Sequence, residues 1–432
     1  MLQSEFLIAA ASSGAGKTTL TLGIMKALYN RGVKVQPFKC GPDYIDTKLH
    51  DIASSEESIN LDTFFSSDEH VLSIYNRYSS RANVSVVEGA MGLFDGYSKM
   101  KGSAAEIAKL IDIPVILVIN AKASAYSTAA MIYGFKNFDK GVNIKGVIFN
   151  FVGSESHYSF LKEACADVGV EALGYLPKDS SLEIPSRHLG LNTDNNAAMN
   201  IAIDKIASVV ERYVNIDLLL EITENTISRI DAENKDKTGN TQRIAVAKDE
   251  AFNFMYRENR RTLEQLGEII WFSPIHDEVL PKADFVYIPG GYPELYAEAL
   301  SKNSLMKESI KSYIEAGGRL LAECGGMMYL SSSLIDQEGK SYPMVGIFNQ
   351  IATMDKMKLK LGYRYFDYNG VRFKGHEFHY SKIESDLPSI VQQYGAKGQA
   401  VDTKLLRYKN VIAGYTHLYW ADTEDWLNLF NT

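Results

Sequence analysis

The run Ala11-Ser12-Ser13-Gly14-Ala15-Gly16-Lys17-Thr18-Thr19 has the spacing of a loop that cradles phosphates. It meets the pattern G-x-x-x-x-G-K-[ST] everywhere except the first position, where Ala11 replaces a glycine. Small residues let backbone N–H groups wrap the phosphates, and a helix N-terminus adds a positive dipole. Lys17 is placed to reach the terminal phosphates and the Thr18 hydroxyl to hold Mg²⁺. Gly14, Gly16 and Thr19 complete the cradle. A second run, Val84-Ser85-Val86-Val87-Glu88, ends an apolar strand on a carboxylate and leads into Gly89-Ala90-Met91-Gly92-Leu93-Phe94-Asp95-Gly96. An acid at a strand end beside such a loop is a usual Mg²⁺ holder, so Glu88 is the candidate. A third run, Phe38-Lys39-Cys40-Gly41-Pro42-Asp43-Tyr44-Ile45-Asp46, sets two carboxylates after another strand. Asp43 and Asp46 are candidates to bind metal or position a nucleophile, and Lys39 to offset charge on a transferred phosphoryl group. Gly-Pro-Asp is also an ordinary turn sequence.

A different chemistry shows in the second half, in Arg319-Leu320-Leu321-Ala322-Glu323-Cys324-Gly325-Gly326. An apolar strand, a cysteine and two glycines before a helix start make the turn that exposes a nucleophile. The helix N-terminus is expected to lower the thiol pKa. The Gly325 N–H is a candidate oxyanion donor, with a second from Gly290 or Gly291 in Gly290-Gly291-Tyr292-Pro293-Glu294. Each such donor is worth about 3 kcal/mol in the transition state. A lone cysteine is more often a buried structural residue, and Cys40 and Cys165 are read that way. The base for Cys324 is one of His276, His376, His379 and His417. His417 follows the apolar stretch Val411–Thr416, which aims it at the cysteine; spacing alone does not choose among the four.

These residues need elements to hold them. Continuous Val/Ile-rich runs at Phe6–Ala11, Val33–Phe38, Val84–Glu88, Ile113–Asn120 and Ile144–Phe151, with a helix over Thr18–Tyr29, predict a parallel sheet covered on both faces. The second half repeats the style at Arg243–Ala247, Glu268–Phe272, Phe285–Pro289 and Arg319–Glu323, with a helix over Leu305–Glu315. A polar stretch, 231–242, follows a helix expected to end near Ile230 and reads as a linker. The boundaries are therefore 1–230 and 243–432. Composition agrees: 432 residues, net charge −8 and 46% apolar suit a globular chain of two or three domains. No apolar run is long enough to span a bilayer. The acidic balance disfavours nucleic acid, and three cysteines without a CxxC pair disfavour a disulfide or zinc framework. A reducing, cytoplasmic setting is expected.

Taken together, the loop, Gly41–Asp46, Glu88–Gly96, Gly290–Glu294, Glu323–Gly326 and Gly375-His376-Glu377-Phe378-His379-Tyr380-Ser381 make the chain resemble the cobyrinate a,c-diamide synthases over nearly its whole length. The resemblance implies an α/β fold of two domains: a P-loop, parallel-sheet ATP domain and a class I-like glutamine amidotransferase domain. It implies Cys324 as glutaminase nucleophile, His417 as its base, and ammonia passed between domains to an acyl phosphate made from ATP. It implies Thr18, Glu88 and Asp43 around Mg²⁺, Asn150 reading the adenine, and Asp46 and Asp95 positioning substrate or ammonia. Lys39, Tyr44, His376 and His379 are further substrate candidates, and Arg364, Arg372 and Lys374 join the two histidines in a basic patch. The implied partners are ATP, L-glutamine and a polycarboxylate tetrapyrrole, with a homodimer left open and no nucleic acid or membrane. Many related amidotransferases carry Glu two residues after the base; here Tyr419 stands there, as in the cobyrinate type. Competing readings are the same amidation on hydrogenobyrinate or (nickel-)sirohydrochlorin, a cobyric acid synthase, and a nucleotide switch with a degenerate glutaminase module.

Overall fold

Residues 3–182, 184, 196–225, 229 and 242–431 are described in this computed structural model. The chain divides into two compact units, Met1–Glu233 and Asn234–Thr432. The expected linker lies outside the described residues save Gln242, and so does Ile230. The last described helix of the first unit, Ile216–Ile222, ends earlier than expected and is followed by a short strand. Among the described residues no helix is long and apolar enough to cross a membrane.

The first unit is built on β1 (Gln3–Ala10), β2 (Val35–Cys40), β3 (Ile59–Leu61), β4 (Val84–Glu88), β5 (Val115–Asn120), β6 (Ile144–Val152) and β7 (Glu171–Pro177). They lie parallel in the order β3-β2-β4-β1-β5-β6-β7, with β8 (Glu224–Asn225) antiparallel against the start of β1. Central strands are buried on both faces, which is why they read as unbroken apolar runs. Two apolar clusters fill the two faces; α1 (Lys17–Asn30) and the helix Asn196–Tyr213 pack in one of them. β1 opens on polar residues, among them Glu5, whose buried carboxylate meets the Arg229 guanidinium at 2.8 Å. The sheet brings the carboxyl ends of β1, β2 and β4 side by side, because Ile8 pairs with Glu88 and Glu88 with Lys39.

The second unit holds β9 (Gln242–Ala247), β10 (Phe252–Phe254), β11 (Gly267–Phe272), β12 (Phe285–Ile288), β13 (Gly290–Gly291) and β14 (Arg319–Glu323). Its main sheet runs β11-β9-β12-β14 in parallel, then the strand Val411–Gly414, also parallel, and an antiparallel edge strand, Leu405–Tyr408. Beyond residue 330 the chain forms two smaller sheets that the apolar runs did not foretell. One of them pairs Lys360–Tyr368 with Val371–His379, and the latter with His417–Leu418. His417 therefore does not continue the strand Val411–Gly414. It belongs to this second sheet, opposite His376.

Candidate functional site

The phosphate loop leaves β1 at Ala10 and enters α1 through Gly14 and Gly16, both with positive φ, +77° and +93°. Gly16 caps α1 without a side chain, so the first N–H groups of the helix face the loop. A Cβ on Gly16 would be driven into the Asn150 amide, whose Cγ would stand 3.1 Å away. Asn150 itself donates to the Ala15 carbonyl at 3.0 Å. The loop is thus braced from the end of β6 by the residue expected to read adenine. Gly14 is exposed and Thr19 half-buried. The Lys17 ammonium donates to the Met91 carbonyl at 2.5 Å, in the turn after β4. In that turn Asp95, exposed, accepts from the Gly92 N–H at 3.1 Å.

Thr18 donates to Glu88 Oε1 at 2.5 Å. The Lys39 ammonium lies 3.3 Å from the same oxygen and 2.9 Å from Asp46 Oδ2. Glu88 Oε2 meets His50 Nε2 at 2.7 Å. Burial opposes the Glu88 charge, but Lys39, His50 and Thr18 outweigh it and hold the carboxyl well below its usual range. Burial likewise works against the Lys39 ammonium; Glu88, Asp46 and Asp43 overcome it and raise its pKa. Asp43 is raised by burial first and by Asp46 second. Its Oδ1 accepts the Ile45 and Asp46 N–H groups, both at 2.8 Å, at the head of α2 (Ile45–Ser54). One oxygen of Asp43 therefore has a structural task, and Tyr44 is buried beside it. Thr18 and Glu88 present the hard oxygens that Mg²⁺ takes, so these residues fit the ion. Among the described residues no three His, Cys, Asp or Glu side chains gather as a metal site. None is required, because nucleotide-bound Mg²⁺ uses one or two protein oxygens with phosphates and waters. Sequence reasoning missed His50; its place four residues after Asp46, on the same helix face, was the available signal.

In the second unit, β14 ends in a sharp turn at Cys324, with φ +47° and ψ −104°. Strain of this kind in a non-glycine residue is what the sharp turn of a nucleophile elbow requires. The glycines around it are set by close approach. A Cβ on Gly325 would stand 2.8 Å from Pro293 Cδ and 3.1 Å from the Gly291 nitrogen, and one on Gly326 would strike the Ile288 carbonyl. The Gly325 N–H hydrogen-bonds to the Cys324 sulfur. The His417 ring covers Gly290, its Nδ1 and Nε2 standing 3.1 and 3.2 Å from where a Cβ would sit. Gly290 and Gly291 thus join the imidazole to the elbow. The expected lowering of the thiol pKa does not hold: burial, and then the Glu294 carboxylate, push it up. Burial holds His417 down to about 3, with His379 acting the same way and Glu377 against both. The resting pair is a neutral thiol and a neutral imidazole.

The other histidines separate clearly. His276 sits at the surface with Glu250, 3.0 Å away. His376 stacks on His417 with ring centres 5.0 Å apart and meets the Tyr256 hydroxyl at 2.7 Å. Tyr419 is buried and packs edge-on against Tyr256. His379 stacks flat on Tyr415 at 3.5 Å and meets Glu377 Oε1 at 2.7 Å. Glu377 Oε2 takes the Arg364 guanidinium, at 2.6 Å from Nε, and the Thr403 hydroxyl at 2.8 Å. Burial opposes that carboxylate's charge, yet His379 and Arg364 hold it down to about 2. The expected basic patch is therefore dispersed: Arg364, His376 and His379 are buried in this network, while exposed Arg372 pairs with Asp367 at 2.8 Å. Glu377, missed by sequence reasoning, lay inside a motif it had singled out.

Residues 6–191 match the CobQ/CobB/MinD/ParA nucleotide binding domain, and residues 243–425 the CobB/CobQ-like glutamine amidotransferase domain. Curated relatives extend the match to both units together. The cobyrinate a,c-diamide synthase of Caldanaerobacter subterraneus subsp. tengcongensis is 42% identical over 96% of this chain and 94% of its own. Those of Listeria innocua and Picrophilus torridus are each 42% identical over 96% of both chains.

Proposed function

We infer the reaction of this protein from one premise, that the chain belongs to the cobyrinate a,c-diamide synthase family. It is a glutamine-dependent amide ligase of cobalamin synthesis, with a nucleotide co-substrate and a corrin-ring substrate. The finer reading is that it amidates the a and c carboxylates of cobyrinic acid through an acyl phosphate, in the cytoplasm. The observation that carries the glutaminase step is the strained Cys324 elbow joined by Gly290 and Gly291 to the His417 ring.

His417 Nε2 or Nδ1 takes the Cys324 proton as sulfur attacks the donor's side-chain amide. Burial disfavours the charged form of each group, so the proton leaves sulfur as the bond to carbon forms and not in a separate earlier step. The Gly325 and Gly291 N–H groups receive the oxyanion, a thioester forms and ammonia leaves; water then frees glutamate. In the ATP unit a substrate carboxylate attacks the γ-phosphate, and ammonia displaces phosphate from the acyl phosphate. Mg²⁺, held by Thr18 and Glu88, would neutralise charge on the phosphates. Lys17 and Lys39 bring ammonium groups to the same end of the sheet, and Asp46 and Asp43 position the attacking group or ammonia.

Purified protein incubated with ATP, Mg²⁺, glutamine and cobyrinic acid is expected to convert two carboxyl groups to carboxamides, counted by mass spectrometry. Two amides on sirohydrochlorin or hydrogenobyrinate instead would move the substrate and keep the mechanism. Cys324→Ala is expected to abolish glutamine-supported amidation and leave ammonia-supported amidation. Glutamine use that survives this change refutes the nucleophile.

A further inference from the structure

Many related amidotransferases carry Glu two residues after the base, where this chain has Tyr419. Tyr419 is buried and turned edge-on to Tyr256, with ring centres 5.3 Å apart. A histidine ring turns readily about its outer side-chain torsion, whose wells are broad, so a base needs something to fix its plane. Strand pairing supplies a neighbour. His417 stands opposite His376 in the antiparallel pair formed with Val371–His379, and side chains directly opposite share one face of a sheet, about 5 Å apart at Cβ. The two rings stack, with centres 5.0 Å apart and planes 19° from parallel. His376 is held in turn, because its Nδ1 meets the Tyr256 hydroxyl at 2.7 Å. All three side chains are buried. Tyr256 is the residue from which the helix Arg257–Leu266 starts. In the first turn of that helix, Asn259 donates to the Leu418 carbonyl at 2.7 Å and accepts the Trp420 N–H at 3.0 Å. One helix start therefore fixes both the backbone after the base and the ring that lies on its face.

A second restraint comes from another direction. A Cβ on Gly290 would stand nearest Cε1 of His417 and almost equally far from its two nitrogens, at 3.1 and 3.2 Å, which is an approach along the edge of the ring. Gly290 thus limits movement in the ring plane, and His376 limits rotation out of it. We propose that His376 is a positioning residue for the base: its ring, tethered by Tyr256, holds the His417 imidazole in the plane from which a nitrogen takes the Cys324 proton, the task that an acid two residues after the base performs elsewhere. His376 acts through His417 and not on the donor. A triad carboxylate fixes both the orientation and the tautomer of its histidine, and losing one costs about 10⁴-fold. A stacked ring fixes the orientation alone. Its removal is therefore expected to cost less, about 10- to 100-fold, the range of a misplacement of up to about 1 Å. The inference rests on His417 as the base of the glutaminase step.

The test uses the whole enzyme with cobyrinic acid, ATP and Mg²⁺, and compares glutamine with ammonia as the nitrogen source. His376→Ala is expected to lower kcat with glutamine about 10- to 100-fold and to leave KM for glutamine within a few-fold. The ammonia-supported rate is expected to stay, which reports that the chain is folded. A double variant, Tyr256→Phe with His376→Phe, puts a ring back against His417. It removes both partners of their hydrogen bond together, which costs less than stranding one of them. This variant is expected to bring kcat with glutamine back to within a few-fold of wild type. In His376→Ala, an unchanged kcat, an equal loss of both rates or a change confined to KM overturns the proposal. So does a double variant that keeps its ammonia rate and recovers no glutamine rate. Failure of the underlying reading would look different: His417→Ala would keep its use of glutamine.

Discussion

Gly290→Ala separates the position of the base from the stability of the fold. Gly290 does not have a positive φ, so alanine fits the backbone there. The added methyl instead falls on the His417 ring, with Cε1 nearest and the two nitrogens at 3.1 and 3.2 Å, where ordinary contact begins at 3.4 Å. The ring therefore has to retreat by about 1 Å, and a displacement of that size at a reacting group costs about 100-fold in rate. Behind it stand His376, stacked at 5.0 Å, and Phe254, with ring centres 6.4 Å apart. Ammonia-supported activity reports whether the fold survives the movement. The assay is glutamine-supported against ammonia-supported amidation at saturating ATP. The glutamine rate is expected to drop about 100-fold with the ammonia rate kept. Gly291→Ala is the contrast, because its Cβ would run into the Ala251 backbone carbonyl, which cannot step aside; there the loss should appear in stability. A Gly290→Ala enzyme with an unchanged glutamine rate would refute His417 as the base.

Two further outcomes follow from the buried charges. Lys39→Met removes the cation shared by Asp46 and Glu88 and is expected to cost about 3–5 kcal/mol, read as an earlier denaturant transition of the first unit; an unchanged midpoint would argue against the ion cluster. Glu377 has its folded-state pKa held at about 2, below the ordinary 4.5, so folding favours its ionised form. The stabilisation, about 3 kcal/mol at 1.36 kcal/mol per pH unit, is present above pH 4.5 and lost as pH falls toward 2. The stability gap between wild type and Glu377→Gln should shrink between pH 7 and pH 3; a constant gap would contradict the assignment.

The legible parts of the molecule were those where a whole element is buried. Val84–Glu88 and Arg319–Glu323 read as strands because both faces are apolar and the functional residue stands at or just past the end. The phosphate loop and the cysteine elbow were readable because each needs glycine at fixed offsets, where close approach forbids a Cβ. The smaller sheets were not, because Lys360–Tyr368 mixes lysine, arginine and tyrosine and is buried at only two of its nine positions. A turn signal was nevertheless present: Asn369-Gly370 joins that strand to the next, with φ +47° and +76°, as a two-residue hairpin requires. Missing it placed His417 at the end of the wrong strand and left Glu377 out of the site. The thiol pKa failed for another reason. The helix after Cys324 has only five residues, and burial together with a carboxylate outside the motif outweighs its dipole.

The acids of this chain divide by what answers them, and the division says where ligands belong. Glu5 has Arg229, Glu88 has Lys39 and His50, and Glu377 has Arg364 and His379. Glu323, equally buried, is met by the Tyr287 hydroxyl and the Leu418 N–H. Glu5, Glu323 and Glu377 are finished structural units whose loss would be felt as instability, whereas Glu88, although answered, also presents an oxygen that Mg²⁺ would take. Glu294 is the exception: burial pushes it up to about 7, and no side chain among the described residues is shown to answer it.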